Sequence, residues 1–204
     1  MTQDITLAFD TCLDKMYLTL MSDNTTLDSK IVENHDEKYH SAFLISTIKE
    51  TLKANNLKPQ DITLIATNIG PGSFTGIRAC TTVARVMAQQ LNCKAVGISS
   101  LEILSKIEND VDIVALDARK NKAYLYADNE IKGAIDLEQV VKLSNGKKII
   151  TDNKLKPILG GKSYQEISAS LGDILAKSAL EKIKTCDGDW RKLKPLYIQP
   201  PPMG

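Results

Sequence analysis

One short pattern opens both halves of the chain, and few folds accommodate that. Residues 8–18, AFDTCLDKMYL, laid over residues 115–125, ALDARKNKAYL, at an ungapped offset of 107 pair Ala8 with Ala115 and Asp10 with Asp117. The same offset pairs Lys15 with Lys122, Tyr17 with Tyr124 and Leu18 with Leu125. Each segment reads as strand, Asp/Lys turn and strand. Two unrelated hairpins would look alike in this respect, because Asp and Lys are common in turns. Their placement at the start of each half favours duplication. The expectation is two lobes, residues 1–107 and 108–204, the second trimmed, with a tail that packs back on the first.

The remaining pattern is mixed. A third strand at 27–33 extends the first hairpin into a meander, and the apolar run DITLIATNI reads as a strand covered on both faces. Between them Tyr39, Phe43, Leu44, Ile48 and Leu52 recur at helical spacing over 39–52. A second helix is expected over 75–91, where Ile77, Thr81, Ala84, Ala88 and Leu91 share a face. A strand at 93–99 and a helix from SLEILSKI follow, with Ser99 or Ser100 as cap. The second half adds a helix near 136–144, a strand at 148–151 and helical segments within 163–184. Strands alternating with helices give an α/β class with mixed sheets flanked by helices.

Charge and apolar runs exclude several functions. Lys and Arg number 26 against 25 Asp and Glu, so no global field draws the chain to nucleic acid. No apolar run approaches the roughly 20 residues of a membrane span. The start MTQDITLAFD has no basic flank of the kind a secretion signal carries, so a cytoplasmic location is expected. Cys12, Cys80, Cys93 and Cys186 lack zinc spacing and read as reduced structural thiols. His35 and His40, five apart, do not share a helix face, so no metal pair is expected.

The stretch NIGPGSFTGIRAC, between a strand and a helix, carries the most suggestive chemistry. A phosphate loop of the G-x-x-x-x-G-K-[ST] type needs a lysine to neutralise phosphate. Gly70 and Gly76 are six apart, no lysine follows, and Arg78 is the nearby cation. A weaker anion site remains open at the helix start, formed by Gly72, Ser73, Thr75, Gly76 and Arg78. Ser73 and Thr75 would serve equally as caps. Asp10 and Asp117 stand where an actin-like fold orients a metal, or are turn residues, since neither turn has the glycine that lets backbone reach phosphate. The two helices of the first half read either as lobe core or as a bundle surface for another subunit.

LAFDT, YHSAFLISTI, IGPGSFTGIR, GISSLE, ALDARKNKAY and PLYI occur in the order and spacing of the bacterial TsaB family, also called YeaZ, which the chain resembles over almost its whole length. The resemblance implies an actin-like, Hsp70-like (ASKHA) duplicated two-lobe fold and a pseudoenzyme without catalytic residue, metal or cofactor. It implies a scaffold for TsaD, working with the ATPase TsaE, in making N6-threonylcarbamoyladenosine at position 37 of tRNAs reading codons that begin with A. It also implies that the first-lobe helices form a homodimer or TsaD surface, with Phe43, Ile48, Ile77, Thr81, Ala84, Ala88 and Leu91 as candidates, and that tRNA is met only through the complex. The competing reading is an ATP-dependent phosphotransferase or hydrolase of the same fold using Asp10 and Asp117 around magnesium; a peptidase is a third.

Overall fold

The computed structural model describes residues 4–33 and 40–199. His35, Tyr39 and the prolines at 200–202 lie outside them, as does the side chain of His40. The chain forms two compact units, Met1–Ser100 with Ser170–Leu196, and Leu101–Ala169 with Tyr197–Gly204.

In the first unit β1 (Ile5–Asp10), β2 (Met16–Ser22) and β3 (Thr25–Val32) form the expected antiparallel meander. A 3-10 turn over His40–Phe43 leads into α1 (Leu44–Ala54). Then come β4 (Ile62–Asn68), α2 (Phe74–Leu91) and β5 (Lys94–Ile98). The sheet order is β3-β2-β1-β4-β5, with β1, β4 and β5 parallel. Side chains alternate across a strand, so one face of β1 and β2 carries Leu7, Phe9, Leu18 and Leu20 into a core closed by Leu44, Ile48 and Ile77. The other face carries Thr19, opposite Ala8 in the ladder.

The second unit runs α3 (Ser100–Ser105, shared at its first residue), β6 (Ile113–Asp117), β7 (Lys122–Ala127), β8 (Glu130–Asp136), α4 (Leu137–Ser144), β9 (Ile149–Thr151), α5 (Lys156–Leu159) and β10 (Lys162–Ser163). Its order, β8-β7-β6-β9-β10, reproduces the first sheet. The strand β8 has no sequence expectation behind it: EIKGAID carries Gly133 and is mostly exposed, so its apolar alternation is weak. The core gathers Ile113, Ala115, Leu125, Val140, Leu155 and Leu159.

The lobe boundary expected at 107 is corrected. The break falls at Ser100/Leu101, and α6 (Leu171–Lys182) returns to the first unit, packing on β1 and β2. Thr19 Oγ1 donates to Asp173 Oδ1 at 2.8 Å, and Leu193 joins the core under α2. This helix covers the second face of β1, a strand buried on both faces. The tail forms no strand over its described residues, although Leu196 N–H donates to the Ile69 carbonyl at 2.8 Å.

The duplication is real in topology, but the ungapped offset does not hold through the hairpin. Phe9 lies opposite Leu18 and Thr67, whereas Ala115 lies opposite Leu125 and Thr151. Thr67 Oγ1 donates to the Phe9 carbonyl at 3.2 Å, and Thr151 Oγ1 to the Ala115 carbonyl at 2.7 Å. The counterpart of Ala115 is therefore Phe9, not Ala8, and the second hairpin is one residue longer. A one-residue shift exchanges sheet faces. Leu18 and Leu125 remain equivalent, while Asp10 and Asp117 do not.

Candidate functional site: the loop between β4 and α2

The loop that resembles a phosphate cradle is held against the β1–β2 turn by backbone groups. Ser73 N–H donates to the Cys12 carbonyl at 2.8 Å, and Thr11 Oγ1 donates to the Gly76 carbonyl at 2.9 Å. A Cβ on Gly72 would strike the Cys12 carbonyl, and one on Gly76 the Thr11 carbonyl. Both glycines thus serve close approach of two backbones. Ser73 caps α2, its Oγ accepting from Gly76 N–H at 3.2 Å, which engages one amide an anion would have used. Thr75 is exposed, and Arg78 lies with its guanidinium 5.4 Å from the centroid of the Phe74 ring.

Asp10 is the polar centre of this joint and is only 1% exposed. Its Oδ1 accepts from Cys12 N–H at 2.5 Å and its Oδ2 from Asn68 Nδ2 at 2.9 Å. Asn68 Oδ1 in turn accepts from Gly70 N–H at 2.8 Å and from Ser100 Oγ at 3.0 Å. A buried carboxylate is tolerated when its lone pairs are met in this way. Cys80 completes the cluster from α2: Thr11 N–H donates to its Sγ at 3.1 Å. Burial, with Cys80 and Asp10 beside it, pushes the Cys12 thiol well above its ordinary value, so it stays protonated.

Among the described residues, Asp10, Cys12 and Cys80 are the group close enough to share a metal ion, with ligand atoms within 4.8 Å of one another. Scattered spacing hid this, because the cysteines meet only when α2 lies over the turn. The donor set does not fit a metal well: Asp10 already accepts two hydrogen bonds, and Cys12 Sγ donates to the Asn68 carbonyl at 3.4 Å. All four cysteines are free thiols; Cys93 is half-buried and Cys186 exposed.

Asp117 stands differently. Its carboxylate accepts from Arg119 N–H at 2.9 Å and from Lys154 Nζ at 3.0 Å. Partial burial pushes its pKa up, but the Arg119 amide and the Lys154 ammonium outweigh that and hold it below the ordinary value. The reading of Asp10 and Asp117 as matched metal carboxylates is corrected here, since one is buried in a backbone joint and the other sits in an exposed ion pair.

The expected interface residues also take other places. Ile48, Ile77, Thr81, Ala84 and Ala88 are at most 4% exposed, in the first unit's own core, with Phe43 and Leu91 packed against it. Five of the seven expected residues are thus covered within their own unit, and Phe43 and Leu91 remain partly exposed. Left exposed are Ile45 (58%) on α1 and Phe74 (41%) and Val86 (53%) on α2. On α2 the sequence signal for this is the complementary stripe 74, 78, 82, 86 at i, i+4 spacing, which is fainter because the core stripe is more apolar.

The family model described as "TsaD: tRNA N6-adenosine threonylcarbamoyltransferase" matches residues 26–151. The chain is 31% identical over 140 residues to the tRNA threonylcarbamoyladenosine biosynthesis protein TsaB of Bacillus subtilis, covering 66% of this chain and 58% of that protein. To TsaB of Escherichia coli it is 27% identical over 126 residues, 58% of this chain and 52% of that one. The chain thus spans about half the length of the curated relatives it matches. Among solved structures, YeaZ from Pseudomonas aeruginosa superposes with a TM-score of 0.70 at 18% identity, over 95% of this chain and 99% of that one, which establishes the shared fold. No helix among the described residues is long and apolar enough to cross a membrane. The family match over more than half of the chain places it in the TsaD threonylcarbamoyltransferase family, and the relatives it resembles there are TsaB proteins.

Proposed function

We propose that the chain is a non-catalytic partner of a TsaD-like threonylcarbamoyltransferase in forming N6-threonylcarbamoyladenosine at position 37 of tRNAs reading codons that begin with A, together with a TsaE-like ATPase. The printed names of the relatives supply the pathway. The observation that carries the non-catalytic half of the reading is the joint itself. Asp10, Gly72, Ser73 and Gly76, the groups a nucleotide would need, are engaged with the β1–β2 turn and the start of α2. In this reading the chain needs no cofactor of its own, and tRNA is met through the complex.

The partner surface in this reading is the outward face of α1 and α2. Ile45, Phe74 and Val86 offer aliphatic and aromatic area in a polar surround, the composition of an interface centre. The same patch serves a homodimer when the chain is alone, so dimer and TsaD complex compete for it.

Co-purification with a TsaD protein, followed by reconstitution of the tRNA modification with TsaE, tests the proposal. Val86→Glu is expected to reduce TsaD capture by at least about tenfold, as a buried charge at an interface centre does. Its stability should change by no more than about 0.5 kcal/mol, because Val86 is exposed. Modification at full rate without this chain, or ATP turnover by this chain alone that Asp10→Ala abolishes, would sink the reading.

A further inference from the structure

The second unit carries a surface that the α1/α2 interface does not involve. An open groove of about 660 Å³ runs between α4 and α5, lined by Val141, Lys142, Lys147, Ile149, Ile158 and Leu159. Ile149 and Leu159 belong to the unit's core and form the floor. Val141 (41%) and Ile158 (51%) stand exposed at its rim. Neighbouring lysines are neutralised: Lys148 and Lys162 pair with Glu108, and Lys156 with Glu166. Lys142 and Lys147 have no such partner among the described residues, and no carboxylate lines the groove.

We infer that this groove docks an acidic amphipathic segment of a partner protein, whose aliphatic side chains cover Val141 and Ile158 and whose carboxylates meet Lys142 and Lys147. The charge left over on the wall selects an acidic occupant, since unpaired lysines beside apolar area favour carboxylates brought close by the same contact. The groove is too open to enclose most of a small ligand, as small-molecule sites do. Its lining has no aromatic ring and no arginine, the groups on which bases of single-stranded RNA stack. A short segment laid along the groove meets both requirements, in the manner of a helix in a groove.

Fluorescence anisotropy with the full chain tests this, using a short fluorescein-labelled peptide of alternating Glu-Glu and Leu-Leu pairs. The controls are the same peptide with Lys for Glu and a labelled oligouridylate of similar length. Saturable binding of the acidic peptide is expected, weakened about tenfold by the double substitution Lys142→Glu/Lys147→Glu, and further at raised salt. Ile158→Ser should weaken it separately, with unchanged far-ultraviolet circular dichroism. A charge-matched control, Lys49→Glu/Lys53→Glu on α1, should leave it unaltered. Equal binding of the basic peptide or the oligouridylate, equal loss in the α1 control, or undiminished binding by the groove variant would each overturn the inference.

Discussion

The two units share one strand order, yet they use the ends of their parallel strands in opposite ways. At the end of β4 stands Asn68, an amide that donates to the buried Asp10 carboxylate. At the equivalent place after β9 stands Asp152, a carboxylate that accepts from the backbone N–H groups of Asp117 (2.6 Å), Lys154 (2.9 Å) and Leu155 (2.9 Å). Asp117, freed from that position, turns to the exposed Lys154. The helix that follows runs 18 residues in the first unit and 4 in the second. Duplication therefore preserved the ladder, while one copy became a dry joint and the other a wet turn. A long helix such as α2 can press its start against the turn, and only then does a buried carboxylate find enough donors.

Making the first joint resemble the second should have the largest effect. Asn68→Asp would set two carboxylates against each other in a site that excludes water, costing about 4 kcal/mol at neutral pH. Like-charge repulsion raises the folded-state pKa of one of them, so the loss should shrink as the pH falls and that group binds a proton. Urea unfolding at pH 7 and pH 5 measures this; equal stability to the parent at pH 7 would mean the joint is wet like its counterpart.

Gly76→Ala comes next. The added Cβ meets the Thr11 carbonyl, a backbone atom with no rotamer to retreat to, so a cost of about 3 kcal/mol and a lower thermal midpoint are expected. An unchanged midpoint would show that the α2 start is not pressed on the turn.

The smallest effect belongs to the second unit. Lys154→Met should cost no more than about 0.5 kcal/mol, because the Lys154 side chain is 75% exposed and water screens the pair. Asp117 has a depressed folded pKa, so its contribution is present above the ordinary carboxylate value of 3.8 and is lost as the pH falls through the lower folded value. The difference between parent and Lys154→Met should vanish over that acid range. A loss comparable to that of Gly76→Ala would break the contrast between the units.

Much of this was legible in local pattern. The hairpins, the helix 75–91, realised as 74–91, and the covered strand β4 follow from periodicity and capping, which depend on neighbours in sequence. The one-residue difference between the hairpins was not legible, since identical residues at a fixed offset hide an extra residue in a turn. Nor was the place of Ile77, Ala84 and Ala88: an apolar stripe states that it will be covered, not whether by its own sheet or by a partner.

The sequence by itself determined the duplicated α/β architecture, a second helix starting within Ser73–Thr75 and the absence of a phosphate-loop lysine, because propensity, alternation and capping act over a few residues. Tertiary structure alone decided that α6 returns to the first unit, that Cys12 and Cys80 meet, and that Asp10 is buried while Asp117 is partly exposed. Each of those depends on contacts between distant segments, whose register is set by packing two faces of a sheet and by no local preference.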